Sequence, residues 1–458
     1  MQENQLPRVL LLTSVVIGVL LLLSAVPPLT LGGTKLRKIN LLSDLKKEEP
    51  NAVAEVKTKS KKNKKDKKDK KTAESLKVRN LSCPKGVTCI EDYSENKKAL
   101  ENFVQALKEV NQRPVRIAFF GDSFIEGDIL TASLRDTLQL IYGGRGVGYV
   151  PITSEVARFR TTIQHGFANW KTYSFVGKKS SYSPLGTPGY CFVPLEDNEV
   201  EFKPGKRKMN SQFNTMRLFY KSTLPDSLHY TINDTLHRAV ALDTSRSLKQ
   251  VTLRIKDAKS VKLNFRPYDS LKTYGVSFEE DKGIYLDNLS MRGNSGMGLS
   301  QVSNEMHRQF NRYQDYRLII LQYGLNVASE EDTTHYVWYT QKMVRVVNAL
   351  KESFPGSSIL IVSVSDRSSN QEGQFATMAT IPDMVEAQRD IARKCKVAFW
   401  DLYAAMGGQN SMLKFVEATP PLAAKDYTHL TFPGGRKLAR LLTETLLHER
   451  KRYEPKKK

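Results

Sequence analysis

Arg113-Pro-Val-Arg-Ile-Ala-Phe-Phe-Gly-Asp-Ser-Phe-Ile-Glu-Gly-Asp128 decides how this chain is read. Val115 to Phe120 is an apolar run interrupted once, by Arg116, and it predicts a buried strand. Gly121-Asp-Ser123 breaks the run. Asp128 stands where an N-cap belongs, ahead of a predicted helix from Ile129 to about Tyr142. A serine on such a turn is lifted out of the sheet, near helix N–H groups that favour negative charge. An acyl-transfer nucleophile belongs in that setting. A plain turn rich in small polar residues would look the same.

Two later stretches bear on the choice. Tyr316 to Leu321 is a second apolar run, followed at once by Gln322-Tyr-Gly-Leu-Asn326. Near the C-terminus stands Asp426-Tyr-Thr-His-Leu-Thr-Phe-Pro-Gly-Gly435. Serine in a GDS turn, asparagine in a G-x-N turn and a late D-x-x-H follow in that order. The set resembles the SGNH (GDSL-type) hydrolase family. Gly121 to Thr131, with Gly144-Arg-Gly-Val-Gly-Tyr149 after it, is similar to the peptidoglycan O-acetylesterase branch, in which a β-domain interrupts the SGNH core. The resemblance covers about residues 113–448. It implies a catalytic set of Ser123, Asp426 and His429. It also implies an oxyanion hole made by the Ser123 and Gly293 backbone N–H groups and the Asn326 side-chain amide. Gly296 and Gly298 are alternatives to Gly293. Phe124 stands where the family often has Leu or His, and Val327 where Asp or Glu is common. Neither departure removes a catalytic group.

The residue types suit ester chemistry. A serine hydroxyl is a poor nucleophile until a base takes its proton. Histidine titrates near neutrality and can be that base. A carboxylate three residues away can fix its tautomer and stabilise the imidazolium. Donors aimed at the developing oxyanion lower the barrier. None of this needs a metal or an organic cofactor, and seven scattered His residues do not read as a zinc site.

Around the motifs the texture changes twice. From about Pro151 to Thr273 short alternating runs such as Gln250-Val-Thr-Leu-Arg-Ile255 are separated by turn residues, which predicts an inserted β-sandwich or jelly roll. Trp170 is its candidate sugar-stacking residue, with Tyr173, Tyr182 and Tyr190 beside it; ordinary core aromatics would fit equally. On either side, strands and helices alternate: Tyr93 to Val110, Leu299 to Arg312, Tyr316 to Gln322, Thr333 to Phe354, Ser358 to Ser363, Met384 to Lys394, Val397 to Asp401 and Pro433 to Leu447. That alternation predicts a parallel sheet covered on both faces, an α/β three-layer sandwich with its site at the C-terminal strand ends. The expected division is 79–150 and 274–448 for the core, and 151–273 for the insertion.

The remaining segments concern placement in the cell. Val9 to Val26 is uncharged and long enough to span a bilayer, so residues 1–33 are read as an uncleaved anchor. Residues 34–78 form a charged linker too poor in apolar surface to fold. Its run from Lys57 to Lys71 holds ten Lys against two Asp, and the basic tail, residues 449–458, adds to it. Much of the net charge of +22 therefore sits outside the core, and no nucleic-acid motif accompanies it. Cys83 and Cys89 enclose five residues and are expected to pair, which requires an oxidising compartment; two unrelated thiols are the alternative. The basic residues after the span favour a cytoplasmic C-terminal side by the positive-inside rule. The cysteine loop and the family resemblance place it in the periplasm, with the inner membrane as the anchor's partner.

The reading that results is a cell-envelope serine esterase acting on an O-acetylated glycan. A glycan O-acetyltransferase could use the same serine. A glycan-binding protein with a vestigial core is the alternative from another class, and a lipase is weaker because no apolar lid is evident.

Overall fold

The computed structural model describes residues 79–176, 184–268, 270–332 and 334–454, with the backbone of Thr30–Leu31 and Thr34–Lys35. The chain divides into residues 1–73 and 74–458. In the first unit Thr30–Leu31 pairs antiparallel with Thr34–Lys35. The expected anchor, Val9 to Val26, and the Lys-rich run lie outside the described residues. Among the described residues no helix is long and apolar enough to cross a membrane.

The second unit begins with β1 (Glu91–Asp92), α1 (Glu101–Ala106), β2 (Pro114–Gly121) and α2 (Thr131–Tyr142). Nine strands follow: β3 (Gly148–Val150), β4 (Ile163–Ser174), β5 (Tyr190–Pro204), β6 (Phe213–Ser222), β7 (Asp226–Ile232), β8 (Leu236–Leu242), β9 (Ser245–Ala258), β10 (Val261–Phe265) and β11 (Leu271–Glu279). Then come β12 (Gly283–Ser290), α3 (Asn304–Gln314), β13 (Tyr316–Gln322), α4 (Val337–Ser353) and β14 (Ser358–Val362). The chain ends with β15 (Ser368–Gln371), β16 (Gln374–Thr377), α5 (Ile381–Cys395), β17 (Ala398–Trp400), α6 (Leu402–Met406), α7 (Ser411–Glu417) and α8 (Phe432–Arg452).

The α/β core is a six-stranded sheet in the order β12-β2-β13-β14-β17-β1, parallel except at the edge strand β1. β2 lies between β12 and β13, and every residue from Val115 to Gly121 is buried. A central parallel strand is covered on both faces, which is why its sequence is a continuous apolar run. Arg116 is the exception, and its charge is neutralised where it lies. Its guanidinium donates to both carboxylate oxygens of Glu279 at 3.0 and 2.8 Å and to the Gln314 carbonyl at 3.1 Å. Arg217 reaches the same carboxylate at 2.6 Å. This buried cluster joins β2 to β11 and β6.

The nine strands from Gly148 to Glu279 form one hydrogen-bonded sheet, not two separate ones, and they exceed the expected limits of 151–273 at both ends. The 15-residue β5 explains the shape. Its C-terminal part pairs with β10 through Val200 to Phe202, and its N-terminal part pairs with β11 at Phe192. Yet the Phe202 and Phe278 rings are 5.3 Å apart. The sheet is therefore folded across β5, and both parts enclose one core containing Val150, Phe202, Leu218, Leu263 and Val276.

Other expectations need correction. The stretch from Tyr93 to Val110 holds only α1 and a 3-10 turn over Leu107–Glu109, and α1 lies on β13 and β14. β11 and β12, consecutive in the chain, belong to different sheets. The basic tail begins later than residue 449: α8 runs to Arg452, and Glu449 and Tyr453 are buried. Cys83 and Cys89 are disulfide-bonded.

Candidate active site

Ser123 lies just beyond the C-terminal end of β2. It is not directly at a helix N-terminus, as the sequence suggested. A 3-10 turn over Glu126–Asp128 intervenes, and Asp128 has φ 63°, so α2 starts only at Thr131. Nor does Asp128 cap α2. It is fully buried and accepts hydrogen bonds from Arg135, Arg160, Thr131, Thr162 and Asn288 at 2.5 to 3.1 Å. Burial alone would raise its pKa, but the Arg135 and Arg160 charges outweigh it and hold the carboxylate well below its usual value. Asp128 thus fastens the turn after Ser123 to α2, to β12 and to the segment entering β4.

The loop carrying His429 is built locally. Asp426 Oδ1 accepts the Thr428 and His429 backbone N–H groups, both at 3.0 Å. Asp426 Oδ2 meets His429 Nδ1 at 2.8 Å. Thr431 caps α8 through the Gly434 N–H. The two glycines that follow Pro433 have a packing reason. A Cβ at Gly434 would stand 1.8 Å from the Leu422 carbonyl oxygen, and one at Gly435 1.8 Å from that of Ile129. Only glycine lets α8 approach both backbones. That approach brings the base to the nucleophile: Ser123 Oγ and His429 Nε2 are 2.9 Å apart, across 306 residues of chain.

The Asp426 and His429 side chains remain 51% and 39% exposed, so the pair opens to solvent. Burial pushes the Asp426 pKa up. Hydrogen bonds from the His429 backbone and ring and from Thr428 more than offset this and hold it below the usual carboxylate value. Asp426 therefore stays ionised and can orient the imidazole.

Asn326 follows β13 and reaches the same place. Its Nδ2 donates to Asp122 Oδ2 at 2.9 Å and to the Asn294 carbonyl at 3.2 Å. Asp122 Oδ1 accepts the Phe124 N–H at 3.0 Å. One buried carboxylate thus holds the nucleophile turn and the Asn326 amide together. Desolvation raises its pKa to about 6. Among the three candidate glycines, Gly296 and Gly298 are packed against Tyr323 and Phe175, where an added Cβ would collide. Gly293 is exposed at φ 73°, and among the described residues a Cβ added there would meet only Val176, at an ordinary contact distance of 3.6 Å. The loop around it is tied down by Arg292, which donates to Glu126 at 2.5 Å.

Ser123, Asp426, His429 and Asn326 are brought together, with the Gly293 loop touching Asn326 through the Asn294 carbonyl. Phe124 fills the core beneath the turn. Trp170 is placed as a packing residue: its ring edges onto Phe265 and its N–H is donated to the Glu199 carbonyl at 3.0 Å. Asp122 and Asp128 were not singled out as site residues. The Gly-Asp-Ser and Glu-Gly-Asp turns held them in view, but nothing local shows what they bind.

No family model matches the chain, and no curated protein matches its sequence. Among solved structures, one titled "Peptidoglycan O-acetylesterase in action" superimposes with a TM-score of 0.64 at 20% identity, covering 79% of this chain and 99% of that one. The two chains share a fold. A salicylyl-acyltransferase from a tetracycline biosynthetic pathway covers 66% of this chain and 96% of its own at 13% identity, with a TM-score of 0.30. A family two carbohydrate esterase from Cellvibrio japonicus covers 62% and 100% at 11% identity, with a TM-score of 0.26. These two superimpose too loosely to carry an argument. In sequence the nine-stranded sheet lies between β2 and β12, which are neighbours in the six-stranded sheet.

Proposed function

We propose that this chain is a serine esterase of the cell envelope that removes O-acetyl groups from peptidoglycan or another glycan. The observation that carries the reading is the continuous line from Ser123 Oγ to His429 Nε2 and from His429 Nδ1 to Asp426, at 2.9 and 2.8 Å, with Asn326 beside it. The likeness in fold to a peptidoglycan O-acetylesterase supports it. The open site also supports it, because a small acyl group carried on a polymer needs access more than a deep pocket.

In this reading His429 Nε2 takes the Ser123 proton as Oγ attacks the acetyl carbonyl. The oxyanion is met by the Ser123 and Gly293 N–H groups and by Asn326, which keeps its bond to Asp122 and gives up the longer one to Asn294. His429 then gives that proton to the departing sugar oxygen, which leaves as a free hydroxyl. Water, deprotonated by the same nitrogen, attacks acetyl-Ser123 and releases acetate. Asp426 holds the tautomer and stabilises the imidazolium throughout.

The test is acetate release by the full chain from O-acetylated peptidoglycan and from 4-nitrophenyl acetate, with Ser123→Ala as the blank. Release from both substrates by the wild type alone is expected. No release from either overturns the reading, and acetate transfer to an added acceptor glycan without net release would make the protein a transferase. The Cys83–Cys89 disulfide supports a periplasmic catalytic unit behind a single inner-membrane anchor. A reporter fused after Lys77 that is active only in the cytoplasm would reject that placement.

A further inference from the structure

We propose that Phe159 and Phe375 form two sugar-ring subsites beside His429, so that the ligand is a run of pyranose units rather than a lone acetylated sugar. The proposal deepens the esterase reading and rests on it. Two exposed aromatic side chains are stacked on rings that flank His429 in sequence. Phe375 lies on Tyr427 with centroids 3.8 Å apart and planes within 9°. Phe159 lies on Phe432 at 5.2 Å and 27°. Phe375 remains 38% and Phe159 48% exposed, so neither stack is sealed into a core.

Both rings stand on firm supports from elsewhere in the chain. Phe375 sits on the β15–β16 hairpin. Thr377 and Asn410 hold β16 by reciprocal bonds of 3.0 and 2.7 Å, and the Ser368 N–H donates to the Tyr427 carbonyl at 3.1 Å. Phe159 is followed by Arg160, which is bound to Asp128, and its ring covers Gly127, four residues after the nucleophile. Exposing a rigid, flat apolar face at a polar site costs free energy unless a ligand covers it. The C–H face of a pyranose is flat and apolar while its rim is hydroxylated. It can therefore cover an aromatic face and keep its polar groups in water. An acyl chain would need an enclosed slot, and Asp426 and His429 stand open.

The experiment uses the full chain and two readouts. The first is the ratio of kcat/KM on O-acetylated peptidoglycan to that on 4-nitrophenyl acetate. It should fall about tenfold in Phe375→Leu and in Phe159→Leu, as expected for losing one aromatic stacking contact. Leucine keeps apolar volume, and thermal melting confirms that each variant is folded. Phe167→Ala, an exposed aromatic change on β4, should leave the ratio unaltered. The second readout is calorimetric binding of an N-acetylglucosamine oligomer to Ser123→Ala, with and without Phe375→Leu. The added change should weaken binding severalfold. Failure of the wild type to release acetate from either substrate would break the esterase reading and leave the binding readout to decide the subsites. Unchanged ratios and unchanged binding in folded Leu variants overturn the proposal. So does binding to phospholipid vesicles in place of the oligomer.

Discussion

Two loops meet at the Ser123–His429 contact, and they are held in opposite ways. The turn after Ser123 is fixed from a distance. Asp128 is bound by Arg160, 32 residues later, and by Asn288, 160 residues later, and Asp122 is bound by Asn326 across 204. The catalytic pair on the His429 loop is fixed locally: among the described residues the Asp426 carboxylate bonds to Thr428 and to His429, and the loop's tie to a distant segment is the backbone bond from Ser368 to Tyr427. The nucleophile side is buried and long-range, while the base side is open and short-range. Damage to the first should spread through the fold, and damage to the second should stay in the chemistry.

The largest effect expected from this contrast is on stability. Asp128→Ala leaves Arg135 and Arg160 buried beside a cavity without their carboxylate, which typically costs about 3–5 kcal/mol. Denaturant unfolding should show it, and activity should disappear with the fold. A variant as stable as wild type would mean that Asp128 does not fasten the turn. On the other loop, Asp426→Asn should leave the melting temperature within a few degrees and lower kcat about 10²- to 10³-fold. That is less than loss of a fully buried triad carboxylate, because water can reach the imidazole here. A melting temperature that falls as far as it does for Asp128→Ala would erase the contrast.

Asp122 should give the smallest and most diagnostic effect. Its carboxyl is pushed from 3.8 up to about 6 in the folded protein. Between those values the folded state holds a proton that the unfolded state has lost. This group therefore makes wild-type stability fall as pH rises from about 4 to about 6. Asp122→Asn should remove that component of the slope and lower kcat about tenfold, through looser placement of Asn326. An unchanged slope would show that Asp122 does not titrate there.

The same contrast sets what the sequence reveals. β13 was legible to the residue, because a strand buried on both faces is written as a mainly apolar run, here Leu318 to Leu321 behind Tyr316 and Arg317. Ser123, Asn326, Asp426 and His429 were legible because each sits in a short motif that carries its own geometry. Asp128 was misread as a cap because an aspartate before a helix has a local use, whereas its actual partners come from α2, β12 and the approach to β4. The folding of the nine-stranded sheet was hidden for the same reason. Alternation fixes which residues face inward, but not that one 15-residue strand will bond to β10 with one part and to β11 with the other. Phe159 and Phe375 carry no periodic signal at all, and only the packing of two distant loops onto the His429 segment reveals them.

The central claim is that the buried turn presents Ser123 to the open His429 as a nucleophile. A fluorophosphonate reacted with the full chain tests it most directly, with the site of modification read by peptide mass spectrometry. The account predicts one adduct, on Ser123, that forms far more slowly in His429→Ala and is absent from Ser123→Ala. An adduct on another serine, or undiminished labelling in folded Ser123→Ala, would contradict it.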